Sequence, residues 1–458
     1  ITLVGAVLGG LAGMRYHLTT FGCQMNEHDS ERMKGLLESR GWSEAPRRDD
    51  ADLILFNTCT IRGSADERFL GNLGDAKRIK RERPEAVVAV GGCWAQSQKE
   101  LVFREFPFVD IAFGPGEVAR LGELVARERI EAVGAFSFDG AFSGGLPAKR
   151  ERPHQAWVQI SVGCNCVCAY CIVPSVRGRE RSRPPVQVVA EVEDLAADGV
   201  REVTLLGQNV NSYGRDLPRE GRASFAELLR AVAAVDGITR VRYTSPHPKD
   251  MRADVIAAMA ECPEVCEHVH LPAQSGSTRV LRAMRRTYGR ERYLELVWRL
   301  REAIPDLSIT TDLIVGFPGE TEEDFAQTVS LVEECGYDGA YTFLYSPRPG
   351  TEAAALDDDV PAEVKRERIQ RLVEVVQRTA AARARRFVGT RREVLVEGPS
   401  RTDPTRLRGR LRQNITVNFT GDAPPGALVE VEIEGATSTT LSGRQAGVPA
   451  EPEVAVSA

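Results

Sequence analysis

The run Gly163-Cys164-Asn165-Cys166-Val167-Cys168-Ala169-Tyr170-Cys171 commits this chain to a metal-bearing loop. Within it Cys164, Cys168 and Cys171 stand at C-x3-C-x2-C spacing. Three thiolates this close can hold three irons of a four-iron, four-sulfur cluster. The fourth iron is then left open for a substrate or cofactor, whereas a fully ligated electron-transfer cluster needs a fourth cysteine. The competing reading is structural zinc, which usually takes two separated C-x2-4-C pairs. Cys166 opens a rival C-x-C-x2-C register with Cys168 and Cys171. One residue between Cys166 and Cys168 leaves little backbone to reach different irons, so the Cys166 thiol is expected to point away from the cluster.

At 458 residues the chain has room for two to four domains. A formal charge of −6 does not mark a nucleic-acid binder as a whole, so that role would need local clustering. Ten cysteines are too sparse for a secreted disulfide framework and suit metal binding in a reducing compartment. Residues 1–13 are apolar and uncharged, too short for a membrane span and without the basic start of a signal peptide. They read as an extension upstream of Met14 or as a short tail, and the protein reads as cytoplasmic.

From Met14 to about residue 135, short apolar runs alternate with helical patterns. Strands are expected at His17–Phe21, Asp52–Phe56, Ala86–Val90 and Phe108–Phe113, with helices at Glu27–Arg40 and Ala65–Arg81. That rhythm predicts an open parallel α/β sheet covered on both faces. Cys23, Cys59 and Cys93 each fall two or three residues past a predicted strand, where such sheets bind ligands. One buried cysteine is usually a small hydrophobe. Three at equivalent positions read as a second three-cysteine cluster site.

After the glycine-rich linker Gly140–Gly145, six strand–helix units follow, with strands expected at Trp157–Ser161, Glu202–Leu206, Arg240–Thr244, His268–Leu271, Ser308–Val315 and Ala340–Tyr345. They predict an incomplete (β/α)6 barrel whose active site lies at the C-terminal strand ends, where the cysteine loop falls. Gly207, Gln208, Asn209 and Gln274 sit in polar loops at that rim, and with Asp312 they are the expected cofactor-binding residues. His247 is a further polar candidate, and Cys262, Cys266 and Cys335 are expected only to pack. Beyond a long charged helix (Val364–Phe387), five short strands predict a small β-barrel of the oligonucleotide-binding kind. Arg383, Arg385, Arg386, Arg391, Arg392, Arg401, Arg406, Arg408, Arg410 and Arg412 crowd this region and are expected to meet phosphates. Residues from Gly447 onward look disordered.

The order of these parts, from Met14 to about Arg444, resembles the radical S-adenosylmethionine (SAM) methylthiotransferases, closest to their MiaB type. Motifs carrying the resemblance are Phe21-Gly22-Cys23-Gln24-Met25-Asn26, Asn57-Thr58-Cys59, Gly92-Cys93-Trp94-Ala95-Gln96, Arg177-Gly178-Arg179-Glu180-Arg181-Ser182-Arg183-Pro184, Leu206-Gly207-Gln208-Asn209-Val210-Asn211-Ser212-Tyr213-Gly214 and Tyr345-Ser346-Pro347-Arg348-Pro349-Gly350-Thr351. The resemblance implies a methylthiotransferase domain (14–135), a radical-SAM domain (150–382) and a TRAM β-barrel (383–446). It implies two [4Fe-4S] clusters, one on Cys164, Cys168 and Cys171 and one on Cys23, Cys59 and Cys93. The first would reduce SAM to methionine and a 5′-deoxyadenosyl radical; the second would hold the sulfur, methylated by another SAM. The implied substrate is dimethylallyladenosine beside the anticodon of a tRNA. Threonylcarbamoyladenosine in tRNA and a ribosomal-protein aspartate are the family's other substrates, and a non-catalytic zinc and RNA binder is the reading from a different class. A reductant protein such as a flavodoxin or ferredoxin, a tRNA anticodon stem-loop and a monomeric state complete the expectation.

Overall fold

A computed structural model describes residues 13–60, 63–126, 132–138 and 140–447. The expected N-terminal extension up to residue 12 and the tail past Gly447 lie outside these residues. The first sheet is built from β1 (Arg15–Thr20), β2 (Ser43–Glu44), β3 (Leu53–Thr58), β4 (Val87–Gly92), β5 (Ile111–Phe113) and β6 (Val133–Ala135). All its pairs are parallel, in the order β2-β1-β3-β4-β5-β6. Successive residues of one strand feed opposite cores: Ile54, Phe56, Val88 and Val90 meet Phe69 and Leu73, while Leu53, Leu55, Val87 and Ala89 meet Met33 and Leu37. Burial on both faces is why these strands read as unbroken apolar runs. The short edge strands β2 and β6 carry no such signature, and sequence reading missed them. It also ended β3 and β4 early, so Cys59 and Cys93 follow their strands directly; a buried Asn-Thr and a Gly-Gly look like turn, yet they pair in register.

The central strands are β7 (Gln155–Gln159), β10 (Glu202–Leu206), β11 (Arg240–Tyr243), β12 (His268–His270), β13 (Ser308–Val315) and β14 (Gly339–Leu344), and a short antiparallel pair, β8 (Ser161–Val162) with β9 (Arg181–Ser182), brackets the cysteine loop. Two three-stranded parallel sheets, β11-β10-β7 and β12-β13-β14, meet through a bridge between Val241 and Val265. There Val241 N donates to Glu264 O at 2.8 Å and Cys266 N to Val241 O at 3.0 Å. The result is the predicted six-stranded partial barrel. Val158, Val203, Leu205, Val241, Val269, Leu271, Ile309 and Leu313 turn outward into the helix layer. The alternate residues turn inward and are polar: His270 bonds Thr310 and lies 3.3 Å from Asp312, with Tyr341 against its edge.

The helix Ala362–Ala384 leads to a closed barrel of β15 (Arg391–Pro399), β16 (Leu407–Leu411), β17 (Thr416–Thr420), β18 (Leu428–Ala436) and β19 (Thr440–Gln445). Phe387, Val394, Val396, Leu411, Val417, Phe419, Val431 and Ile433 fill it. It docks at the N-terminal ends of β11 and β12. Arg240, fully buried, donates to Arg410 O and Glu393 Oε1 at 2.8 Å, and Arg242 donates to Leu411 O and Arg412 O. Many members of the arginine run are also engaged within the protein. Arg383 and Arg386 pair with Asp338, Arg392 with Asp306, Arg408 and Arg410 with Glu397, Arg412 with Glu267, and Arg406 donates to Gly443 O. Arg383, Arg386, Arg392 and Arg412 reach carboxylates of the central domain, while Arg406, Arg408 and Arg410 satisfy acceptors within the barrel itself. Arg385, Arg391 and Arg401 remain exposed. Among the described residues no helix is long and apolar enough to cross a membrane.

Candidate active site

The first cysteine site is assembled from three strand ends. Cys23 heads the helix Gln24–Glu38, Cys59 follows β3, and Cys93 opens the helix Cys93–Gln98. Gly22 (φ +134°) and Gly92 (φ +98°) let these ends approach: a Cβ on Gly22 would stand 2.7 Å from Cys59 Cβ, and one on Gly92 2.4 Å from Thr58 O. Two buried asparagines lock the first two ends together, and Thr58 Oγ1 donates to Gly91 O of the third. Asn26 Nδ2 donates to Asn57 Oδ1 and Thr58 O, and Asn57 Nδ2 donates to Asn26 O and Ser30 Oγ. Burial pushes the Cys93 thiol up to about 12; the Cys59 and Cys23 sulfurs add to this and Arg177 opposes it, so all three thiols share one space.

The second site is a single loop. Gly163 (φ +75°) passes so near Arg179 O that a Cβ would stand 2.1 Å away, and Cys164 N donates to Gly178 O. Ala169 N bonds Met284 O and Cys171 N bonds Cys168 O, which fixes the far half of the loop. Arg286 Nη1 donates to Cys168 Sγ at 3.3 Å, while its other nitrogens donate to Tyr288 Oη and Pro272 O. Burial pushes the Cys171 thiol up to about 11, with Cys168 adding to the effect.

Cys166 lines a small cavity with Asn165, Asn209 and Lys249 beside the loop. Its amide donates to Cys164 Sγ, its sulfur accepts from Asn209 Nδ2 at 3.6 Å, and a hydrogen bond with Cys164 draws its thiol down, helped by Lys249.

The expected cofactor-binding residues divide. Gly207 makes the close approach its type allows, 2.5 Å between a built Cβ and Ser161 Oγ. Gln208 and Asn209 each carry a buried side-chain oxygen without a partner, and Asn209 Nδ2 also donates to Asp250. Gln274 adopts φ +73° and its backbone bridges to β13, so it shapes the rim. Asp312 lies within β13, 3.3 Å from His270 in the barrel lumen, and its carbonyl accepts from Gln274 N of the rim loop. His247 is structural: burial drives its pKa down to about 2, its Nδ1 accepts from Lys249 N, and its ring meets Tyr288. Cys266 and Cys335 are buried and Cys262 half-buried, as expected of packing residues.

Sequence reasoning missed the two arginines that touch the cysteines. Arg286 gives no signal beyond one charge in a polar stretch, but Arg177 lies inside a motif already singled out. Helix Val173–Arg177 starts two residues after Cys171, and its Ile172 flank and Val176 pack on Cys93. Its last residue, Arg177, donates Nε to Cys93 Sγ at 3.2 Å and Nη2 to Asp29 Oδ2 at 3.1 Å. The two sites therefore share a wall. Close by, a cavity of about 530 Å³ opens where the three domains meet, between Gln24, Trp157, His268, Tyr341, Arg401 and Arg410.

The chemistry of the two triads fits iron–sulfur clusters better than lone ions. Tetrahedral structural zinc takes four ligands on one ion, and each triad offers three thiols. Cluster thiolates instead sit on separate irons.

Family models match in the same three blocks: Radical SAM superfamily over residues 158–332, uncharacterized protein family UPF0004 over 15–114, and TRAM domain over 385–445. The solved radical S-adenosylmethionine methyltransferase TsrM from Kitasatospora setae resembles the chain in fold, with a TM-score of 0.54, 18% identity and 75% of each chain covered. Fold and blocks define a radical-SAM protein with a second cysteine triad ahead of its barrel and a TRAM barrel behind. Much closer in sequence are tRNA-2-methylthio-N(6)-dimethylallyladenosine synthases. That of Acidothermus cellulolyticus is 50% identical over 437 residues (94% of this chain, 88% of the relative), and that of Carboxydothermus hydrogenoformans 48% over 431 (92% and 97%). The chain belongs to the tRNA-2-methylthio-N(6)-dimethylallyladenosine synthase family.

Proposed function

We propose that this protein replaces the hydrogen on carbon 2 of N6-dimethylallyladenosine in tRNA with a methylthio group, working as three units at 14–135, 150–382 and 383–446. The shared wall between the two triads carries this reading: it sets two cysteine sites, each one ligand short, on either side of one helix. Carbon 2 of an adenine carries no acidic hydrogen and is a poor electrophile, so acid–base groups alone would not exchange it. A SAM-bound four-iron cluster supplies the radical chemistry, and a second cluster with another SAM supplies the sulfur site and methyl group.

Cys164, Cys168 and Cys171 would hold the first cluster, and Cys23, Cys59 and Cys93 the second. Arg286 braces Cys168 from a buried position. Gln208 and Asn209 offer their unpartnered buried oxygens to the donors of SAM beside that loop. Ile172, Val176 and Cys93 make an apolar partition that keeps water from the space between the sites. The three-domain cavity, with Trp157 and Tyr341 for stacking and Arg401 and Arg410 in its lining, would receive a base splayed out of the RNA. Electrons would come from a flavodoxin- or ferredoxin-like reductant of the cytoplasm.

The test is to incubate cluster-reconstituted protein with SAM, dithionite and tRNA bearing dimethylallyladenosine, then analyse nucleosides by mass spectrometry. The methylthio nucleoside is expected. Its absence, with product instead on threonylcarbamoyladenosine tRNA, would assign the chain to the other substrate.

A further inference from the structure

We propose that Arg177, contributed by the central domain, completes the first domain's cysteine site and sets the reduction potential of the cluster held there, with Asp29 offsetting its charge. This rests on Cys23, Cys59 and Cys93 being cluster ligands.

The side chains of Arg177 and Asp29 are 5% and 2% exposed, and Cys93 is 1% exposed. An arginine is this deeply buried only when its charge and donors are taken up. Arg177 gives Nε–H to the Cys93 sulfur and Nη2–H to Asp29. Asp29 in turn lies 3.4 Å from His28 Nδ1 and accepts from Ser143 Oγ. His28 is fully buried, and burial holds it neutral.

The wider seam between the two domains is unbalanced. Arg32 and Arg183 both pair with Glu191. With Arg177 and Asp29 this makes three buried guanidinium groups against two buried carboxylates. Glu31, at the half-buried edge beside Arg32, is a weak counter-charge because burial pushes it up to about 7. A cluster on three thiolates is the anion that would balance the excess positive charge.

Hydrogen bonds to cluster sulfurs and local net charge are the protein's levers on cluster potential. A reduced cluster carries one more negative charge, so an N–H donor and a buried cation favour reduction, and a carboxylate beside them opposes it. Arg177 follows Cys171 by only six residues, so docking of the two domains delivers this donor to the first site. The loop site differs: Arg286 donates to Cys168 Sγ, but its other partners are a hydroxyl and a carbonyl, with no carboxylate.

The test is electron paramagnetic resonance during a dithionite redox titration of full-length protein in a Cys168→Ala background, where only the first site loads. Arg177→Gln is expected to lower the equilibrium constant for one-electron reduction at least tenfold, about 59 mV for a one-electron couple. Asp29→Asn, which keeps the donor and removes the opposing charge, is expected to shift the potential upward. Arg177→Lys, which keeps charge but not the Nε geometry, should fall between Arg177→Gln and the parent. In a Cys59→Ala background the loop cluster's potential should ignore Arg177→Gln. An unchanged potential in loaded Arg177→Gln protein, or a downward shift in Asp29→Asn, overturns the proposal. Should Arg177→Gln fail to load iron, the sign of the Asp29→Asn shift decides. If the Cys168→Ala parent loads no cluster at all, the ligand reading itself fails, an outcome distinct from a cluster that ignores Arg177.

Discussion

The two cysteine sites reach similar chemistry by opposite routes. The loop site takes its ligands from eight consecutive residues, Cys164 to Cys171, and needs the fold mainly to pin the loop. The first site takes one ligand from each of three strand ends and exists only when β1, β3 and β4 are in register. Its stability is therefore tied to the domain core, through buried Asn26 and Asn57 and two glycines. The loop site's geometry is instead tied to backbone bonds with Gly178 and Met284. A local site is legible from spacing, whereas a topological one is legible only after the fold is inferred.

The largest contrast should come from filling the glycine approaches. Gly92→Val drives a side chain into Thr58 O and costs about 1–3 kcal/mol of backbone strain. Methylthio product should fall at least a hundredfold while SAM cleavage persists, whereas Gly163→Val should stop SAM cleavage and product formation together. Loss of SAM cleavage in Gly92→Val would break the independence of the two sites.

A smaller effect is expected at Asn57, whose amide serves Asn26 and Ser30 in a buried setting. Asn57→Ala leaves those groups unsatisfied, at about 1–3 kcal/mol. Urea unfolding followed at the first domain should show this loss.

Smaller again is the effect of the exposed arginines. Replacing Arg385, Arg391 and Arg401 by Ala should reduce the salt dependence of tRNA binding by roughly 0.7–0.9 log unit for each phosphate no longer neutralised, with cluster content unchanged. Arg240→Ala, which removes donors at the barrel docking face, should instead lower stability. Filter binding across a salt series and thermal melts separate the two outcomes.

The least effect belongs to Cys166→Asn. Its sulfur accepts from Asn209 and faces Cys164, yet Cys164, Cys168 and Cys171 keep the spacing for three irons. Iron content and SAM cleavage should be retained, whereas Cys164→Ala should lose both. The opposite pattern would show that the ligand register has shifted by one cysteine.

Much of this was legible in the sequence alone. Strands buried on both faces, such as Leu53–Thr58 and Val87–Gly92, declare themselves by apolar runs, and loops at their ends by glycine and cysteine. What stayed hidden depended on partners distant in sequence. Arg177 and Arg286 become meaningful only when Cys93 and Cys168 are brought beside them. The arginine run looked like an RNA face because spacing does not reveal that Asp306, Asp338 and Glu267 wait on the central domain.

The central claim is that the two triads hold separate clusters with separate tasks, and iron and sulfide counts with a SAM-cleavage assay test it directly. Reconstituted wild-type protein should carry about eight irons, and Cys59→Ala and Cys168→Ala about four each. The Cys59→Ala protein should still cleave SAM, and the Cys168→Ala protein should not. Loss of both clusters on either substitution, or full methylthio product from Cys59→Ala, would contradict the account.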